Sequence, residues 1–278
     1  MKIAPIVLLF LLLLSCSSER NKIPKSKTSI PEQIVKPEIQ ALLDGAEVTG
    51  SILIYDKNND TYYSNDFKWA SEGNLPASTY KIPNTIIGLE TGVIENDSTV
   101  FLWDGEERNM DRWEQDLVLK KAFQLSCVPC YQEVARKIGT AIMNGYVQKL
   151  QYGNMHIDSS NIDNFWLLGK SRISQMQQID FLMKLYYREL PISERTMKIV
   201  KKIMITERSE EYTLSGKTGL SIEDGNYNGW YVGYVESNNN VLFFATNMEP
   251  NVDSDIDHFI KKRIDLTLSA IKELNMID

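Results

Sequence analysis

Histidine is nearly missing from this chain. His156 and His258 are the only two, far apart and without metal-ligand spacing, which argues against a zinc site. Phosphate loops of the G-x-x-x-x-G-K-S/T or G-x-G-x-x-G kind are lacking, so the common nucleotide-binding signatures are not met. Basic residues are outnumbered, 30 Lys and Arg against 37 Asp and Glu, for a formal charge of -7. That balance argues against non-specific nucleic-acid binding and against docking to an anionic membrane by charge. The apolar run from Ile3 to Leu14 is too short to span a bilayer comfortably as a permanent helix. Cysteines number three, and no internal repeat is visible.

What is present begins with size: 278 residues at 43% hydrophobic content suffice for a sizeable core in one or two domains. Lys2 and the apolar run read as a targeting segment. It ends Leu13-Leu14-Ser15-Cys16, which resembles a bacterial lipoprotein processing box. The resemblance implies a signal peptide over 1–15, cleavage before Cys16 and a lipid on that cysteine. An ordinary signal peptide with an incidental cysteine is the alternative. In both readings the protein is exported, and the first reading places it in the periplasm of a Gram-negative bacterium, its membrane contact made through the lipid alone. Residues 16–38 are polar and carry Pro24, Pro31 and Pro37, and read as a flexible tether. The folded domain is then 39–278.

Within that domain, Val48 to Tyr55 and Thr61 to Ser64 read as strands around a turn cluster. A helix is expected from Ser78 to Gly92, with Pro83 disturbing its first turn. Leu117 to Phe123, Val128 to Leu150, Ser174 to Glu189 and Glu194 to Met204 carry helical periodicity. Tyr212 to Leu214, Gly229 to Glu236 and Val241 to Asn247 are strand-like, and a last amphipathic helix covers about Ser254 to Leu274. Strands at both ends with helices between predict an α+β fold. One antiparallel sheet is built from both chain ends and flanked by terminal helices, with an inserted, mainly helical region and a cleft between the two.

The chemistry centres on Ser78-Thr-Tyr-Lys81. In S-x-x-K at a helix start, the hydroxyl and the amine share one face. A serine hydroxyl needs a neighbouring base, which a neutral or modified lysine supplies, and a helix N-terminus offers amides to an oxyanion. The pattern alone is common. It recurs at Ser269-Ala-Ile-Lys272, and a helix cap is the ordinary role for Ser78. Lys217-Thr218-Gly219 adds a fixed positive charge on a strand, with a glycine that lets substrate approach closely.

S-x-x-K followed by K-T-G resembles the penicillin-recognising serine enzymes. The S-D-N element of class A enzymes is missing. In its place stand Ser126-Cys127-Val128, Tyr152-Gly-Asn154 and Phe165-Trp-Leu-Leu-Gly169. With Trp103-Asp-Gly105 and Asn228-Gly-Trp-Tyr-Val-Gly-Tyr234 they look like class D, the oxacillinase-type β-lactamases, from about residue 40 to the C-terminus.

The resemblance implies a β-lactam as the small-molecule substrate and a role for each position. Ser78 is the acylated nucleophile. Lys81 is carbamylated by CO2 to N6-carboxylysine and serves as general base, with no separate cofactor. Ser126 relays a proton to the leaving β-lactam nitrogen, and Val128 keeps the lysine pocket apolar. Trp166 donates its indole N–H to the carbamate. Lys217 and Thr218 bind the substrate's carboxylate region. The amides of Ser78 and Leu220 form the oxyanion hole. Arg263 aligns with the arginine that pairs with the drug carboxylate, against the alternative of a solvated helix face. The chemistry is coherent on its own terms: burial favours a neutral lysine, a neutral amine takes up CO2, and the buried anion then needs a donor.

Two positions depart from the pattern. Leu168 makes the tryptophan loop more apolar, and Cys127 and Cys130 form C-x-x-C across S-x-V. A disulfide there requires an irregular start to the helix; two packed thiols are the alternative. The runner-up to a β-lactamase is a sensor or transpeptidase of the same fold, acylated without turnover. A degenerate envelope-binding lipoprotein is the third reading, opposed by the intact Ser78, Lys81, Ser126 and Lys217.

Overall fold

Residues 51–56 are buried without a break, and their side chains divide between two cores. Ile52 and Ile54 pack with Tyr231, Val235 and Phe244, whereas Leu53 and Tyr55 pack with Trp230, Val232 and Phe243. Successive strand residues point to opposite faces, so a strand covered on both sides reads as a continuous apolar run. The computed structural model describes residues 30–237, 240–251 and 256–274.

The strands are β1 (Glu32–Val35), β2 (Val48–Asp56), β3 (Thr61–Ser64), β4 (Val100–Phe101), β5 (Leu117–Val118), β6 (Ile205–Arg208), β7 (Tyr212–Glu223), β8 (Asn226–Ser237) and β9 (Val241–Pro250). The helices are α1 (Pro37–Gly45), α2 (Phe67–Ser71), α3 (Lys81–Thr91), α4 (Leu119–Gln124), α5 (Val128–Ile138), α6 (Thr140–Leu150), α7 (Gln175–Tyr186), α8 (Glu194–Met204) and α9 (Ile256–Glu273). Among the described residues, seven strands make one sheet in the order β1-β3-β2-β9-β8-β7-β6. All neighbours are antiparallel except β1 and β3. The fold is α+β, with the sheet drawn from both ends of the chain as the sequence predicts.

One face of the sheet is covered by α1, through Ile39 and Leu43, and by α9, through Phe259, Leu266 and Ile271. The other face meets the inserted helices through Ile86, Phe123, Tyr131, Phe181 and Leu182. Buried helices against a sheet must still satisfy their polar groups, and Gln175 at the start of α7 donates its amide to the Ser51 carbonyl at 2.9 Å.

Several expected boundaries shift. Residues 32–38, read as the end of a tether, belong to the folded body: β1 pairs with β3, and α1 starts at Pro37. The folded unit therefore begins near residue 31, not 39. Residues 16–29 of the tether, Cys16 among them, and the signal peptide lie outside the described residues. The Val128 to Leu150 periodicity is two helices, broken where Gly139 takes φ +78°. Leu117 and Val118 form a short strand before α4. Asp224 and Gly225, both at positive φ, make the tight turn that lets β7 and β8 run further than their apolar stretches suggest.

Candidate active site

Ser78 sits in a 3-10 turn, Ala77–Tyr80, that runs straight into α3 at Lys81. The turn, not a regular first turn, is what Pro83 leaves: a proline two residues into α3 brings no amide to the helix. Ala77 is held at φ +51°, a conformation costing a non-glycine residue about 1–3 kcal/mol. The strain is over-determined by neighbours. The Ala77 amide donates to the Trp166 carbonyl at 2.8 Å. Trp230 Nε1 and Asn228 Nδ2 both donate to the Leu75 carbonyl, each at 2.8 Å. Thr79 Oγ1 donates to the Pro76 carbonyl at 2.6 Å and accepts from Gln178 Nε2 at 2.9 Å.

Lys81 Nζ donates to Ser78 Oγ at 2.9 Å. Lys81 is 1% exposed, and burial pushes its ammonium down to about 7 from the ordinary 10.5. Its Nζ lies 5.3 Å from the centre of the Tyr131 ring. The base and nucleophile of the S-x-x-K reading are thus in contact, one turn apart. The second S-x-x-K lies within α9, with Lys272 exposed.

Lys217 comes to the same place on β7. Its Nζ donates to Ser126 Oγ and, at 2.8 Å, to the Thr218 carbonyl. Burial holds its ammonium well below the usual lysine range, with the Lys81, Arg263 and Arg112 charges adding to the effect. Ser126 itself takes φ +54° in the loop between α4 and α5. Gly219 carries β7 past the nucleophile turn. A Cβ there would lie 3.2 Å from Ala77 Cβ, Thr79 Cγ2 and Trp230 Cβ, so the strand packs directly on the Ser78 segment. Leu220 follows, on the cleft wall.

Arg263 is 5% exposed on α9. Its guanidinium donates to the Gly219 carbonyl and to the Ile260 carbonyl. It is therefore aimed at the K-T-G strand, and the alternative of a solvated helix face does not hold. Trp166 is fully buried and stacks on Tyr80, ring centres 5.7 Å apart and 13° between planes. Its indole Nε1 is a buried donor without a hydrogen bond among the described residues.

Cys127 and Cys130 form a disulfide, with Cα atoms 5.5 Å apart. Cys127 is the non-helical cap of α5, at φ -53° and ψ 102°, so the helix start has the irregularity such a bond requires. Val128 follows, and a cleft of about 610 Å3 opens beside it, walled by Trp113, Leu167, Leu168, Leu220 and Ile222. Glu107, Arg108, Gln132 and Asn164 share the lining with these apolar side chains, and Val128 and Leu220 tie the cleft to the S-x-V and K-T-G segments. A separate cavity of about 520 Å3 between α8, β6, β7 and β8 holds none of these motif residues.

Residues 46–263 match the penicillin-binding protein transpeptidase domain. The chain is 44% identical over 212 residues to the β-lactamase OXA-10 of Pseudomonas aeruginosa, covering 75% of this chain and 79% of that protein. A solved class D β-lactamase from Sebaldella termitidis has a TM-score of 0.85 at 36% identity, covering 89% of this chain and 99% of that one. This chain belongs to the class D β-lactamases. The regulatory protein BlaR1 of Bacillus licheniformis is more distant, at 31% identity over 213 residues that make up 76% of this chain and 35% of that protein.

For a class D β-lactamase, the sequence motifs understate how much of the site is support. Tyr152 of Y-G-N, whose ordinary reading is a plain turn, is fully buried. Its hydroxyl meets Thr79 Oγ1 at 3.2 Å and Gln178 Oε1 at 3.3 Å. Tyr131 was not singled out from sequence, although its place one turn after Val128 puts it on a related helix face. Thr85 Oγ1 fixes its hydroxyl at 2.7 Å. Gln178 carries no sequence signal, because only the packing of α7 brings it to Thr79.

Proposed function

We propose that this protein hydrolyses the amide bond of β-lactam antibiotics through an acyl-enzyme on Ser78. The carrying observation is the 2.9 Å contact between Ser78 Oγ and a buried lysine whose ammonium burial brings down to about 7, so that the neutral amine is accessible near neutral pH. Ser78 Oγ bonds to the β-lactam carbonyl carbon, and its proton leaves toward the Lys81 side chain. The ring C–N bond then breaks, and the nitrogen takes a proton from Ser126 Oγ, which recovers one from the Lys217 Nζ bonded to it. Water cleaves the resulting ester and frees Ser78. The amides of Ser78 and Leu220 hold the carbonyl oxygen while it carries negative charge.

Carbon dioxide fits this site as a carbamate on Lys81. Burial lowers the Lys81 ammonium, and burial together with the Lys81 charge lowers that of Lys217, so an anion on Lys81 would relieve both. The Trp166 indole is a buried donor without an acceptor, and an indole can only donate. Val128, Trp166 and the Tyr131 ring would enclose the group. A carbamate there supplies an anionic proton acceptor in place of the amine. Lys217, Thr218 and Arg263 would take the substrate's own carboxylate, at the positively charged end of the site.

Hydrolysis of a chromogenic cephalosporin by purified protein tests the proposal. Continuous turnover is expected, and Ser78→Ala should lose both turnover and the covalent adduct while keeping its fold. A single stoichiometric burst would instead mark a sensor-like protein that is acylated without release. An intact-drug mass increase on Ser78→Ala would put the nucleophile elsewhere.

A further inference from the structure

The Cys127–Cys130 disulfide spans the segment between two residues that face the two site lysines. Ser126 precedes Cys127, and its Oγ accepts from Lys217 Nζ. Tyr131 follows Cys130, and its ring faces Lys81 Nζ at 5.3 Å. The bond therefore closes the one turn of backbone whose two ends reach both halves of the site.

That turn has reason to need closing. Ser126 sits at φ +54°, where a residue with a Cβ stays only if its surroundings over-determine it. Its own amide donates to the Phe123 carbonyl at 3.1 Å, and the Cys127 amide to the Ala122 carbonyl at 2.9 Å. On the other side the chain enters α5, whose first amides have no partner within the helix, and Pro129 brings no amide at all. Cys127 Sγ fills part of that gap by accepting from the Cys130 amide at 3.2 Å. Both cysteines are packed in the core, 1% and 9% exposed. The Tyr131 amide reaches the Cys127 carbonyl only at 3.4 Å, a long bond for the first turn of a helix. Hydrogen bonds alone thus tie Ser126 firmly to α4 but loosely to α5, and the sulfur bridge supplies the second tie.

We propose that Cys127 and Cys130 are positioning residues for acylation: their disulfide holds the Ser126 hydroxyl against Lys217 in register with Tyr131 and Lys81. The inference rests on the reading of Ser126 as the group that protonates the leaving nitrogen. Breaking the bond frees the first turn of α5 and lets Ser126 leave its left-handed conformation. Proton delivery then suffers, whereas attack of water on the ester does not require Ser126. An ångström of misplacement at a reacting group is enough to cost on the order of tenfold to a hundredfold in rate.

The experiment compares oxidised wild type, reduced wild type with the reductant removed under anaerobic conditions, and Cys127→Ser, a replacement that retains a good helix cap. Acylation and deacylation rates are measured separately by single-turnover and burst kinetics with a chromogenic cephalosporin, alongside circular dichroism. The expected result is slower acylation, on the order of tenfold or more, with deacylation nearly unchanged and the spectrum retained. In a Ser126→Ala background, loss of the disulfide should cost little further acylation. Equal acylation with and without the bond overturns the inference. So does an undiminished loss in the Ser126→Ala background, or global unfolding on reduction, either of which makes the disulfide a structural staple. Absence of turnover by oxidised wild type would instead be a failure of the functional reading itself.

Discussion

The Ala77 amide donates to the Trp166 carbonyl at 2.8 Å, joining the residue before the nucleophile to the tryptophan loop. The same loop puts the Trp166 ring on Tyr80, one residue before Lys81. Serine, lysine and indole are therefore held by one short stretch of backbone clamped against another. A shift of the tryptophan loop moves the nucleophile turn with it.

Trp166→Phe keeps an aromatic ring against Tyr80 and removes the indole N–H together with part of the buried ring volume. Deacylation should slow more than acylation, by on the order of a hundredfold, as expected for a weakened general base. Acyl-enzyme should accumulate, and added bicarbonate should restore part of the rate. Steady-state assays over a bicarbonate series, with carbon-13 NMR for the carbamate, provide the check. Full activity of the variant in CO2-free buffer would remove the indole from the mechanism.

Burial lowers the Lys81 ammonium from 10.5 to about 7, and this ties both activity and stability to pH. Activity should fall as pH drops below about 7, because the protonated amine is neither a base nor a CO2 acceptor. Between about 7 and 10.5 the unfolded chain holds a proton that the folded chain lacks, so the Lys81 contribution to stability improves as pH rises. Its penalty is full below about 7 and vanishes above 10.5. Lys81→Met should thus be inactive yet more stable at pH 7, by at most roughly 4 kcal/mol, an upper bound of about 10 °C in melting temperature. The gain should shrink toward pH 10. Thermal melts of both proteins at pH 7 and pH 10 measure it, and a gain independent of pH would mean that charge is not its source.

Arg263 points its guanidinium at the Gly219 carbonyl beside the nucleophile turn. Arg263→Ala should raise KM for a penicillin by roughly tenfold to a hundredfold, the value of a charged hydrogen bond, with a smaller change in kcat. A substrate whose carboxylate is esterified should show no such rise. An equal loss for acid and ester would assign Arg263 to holding β7 alone.

Cys16 lies outside the described residues, and its proposed lipid rests on the Leu-Leu-Ser-Cys sequence. The protein should fractionate with membranes, and Cys16→Ser should release it or block its processing. Several acyl chains are needed for stable attachment, since one alone binds marginally. Wild-type protein recovered entirely from the soluble periplasm would rule the anchor out.

The family could be read from the resemblance its motifs carry, and the α+β class and the S-x-x-K pair from the chain itself, because these depend on local order. S-x-x-K needs only one helical turn to bring Lys81 to Ser78, and strand runs need only β-branched and aromatic residues. The extent of β7 and β8 was less legible, because their outer residues are polar and are held in register by an Asp224–Gly225 turn rather than by apolar burial. Residues 32–38 look like a tether by composition. They are ordered only because β3 offers an edge for β1, a pairing that composition cannot express.

What the tertiary structure alone decided is which polar groups converge. Ser126 meets Lys217 and Thr79 meets Gln178 across long stretches of chain, and Trp166 supports Ala77 through its backbone as much as through its ring. Such contacts depend on how α4, α7 and β7 pack, not on the residues flanking each partner. The Lys81 shift has the same origin. Desolvation is its cause, and a lysine is desolvated only by the side chains that a whole fold brings around it. The sequence by itself thus determined the reactive groups and the elements that carry them. Packing decided that they lie together and buried, and that arrangement is the source of the reactivity proposed here.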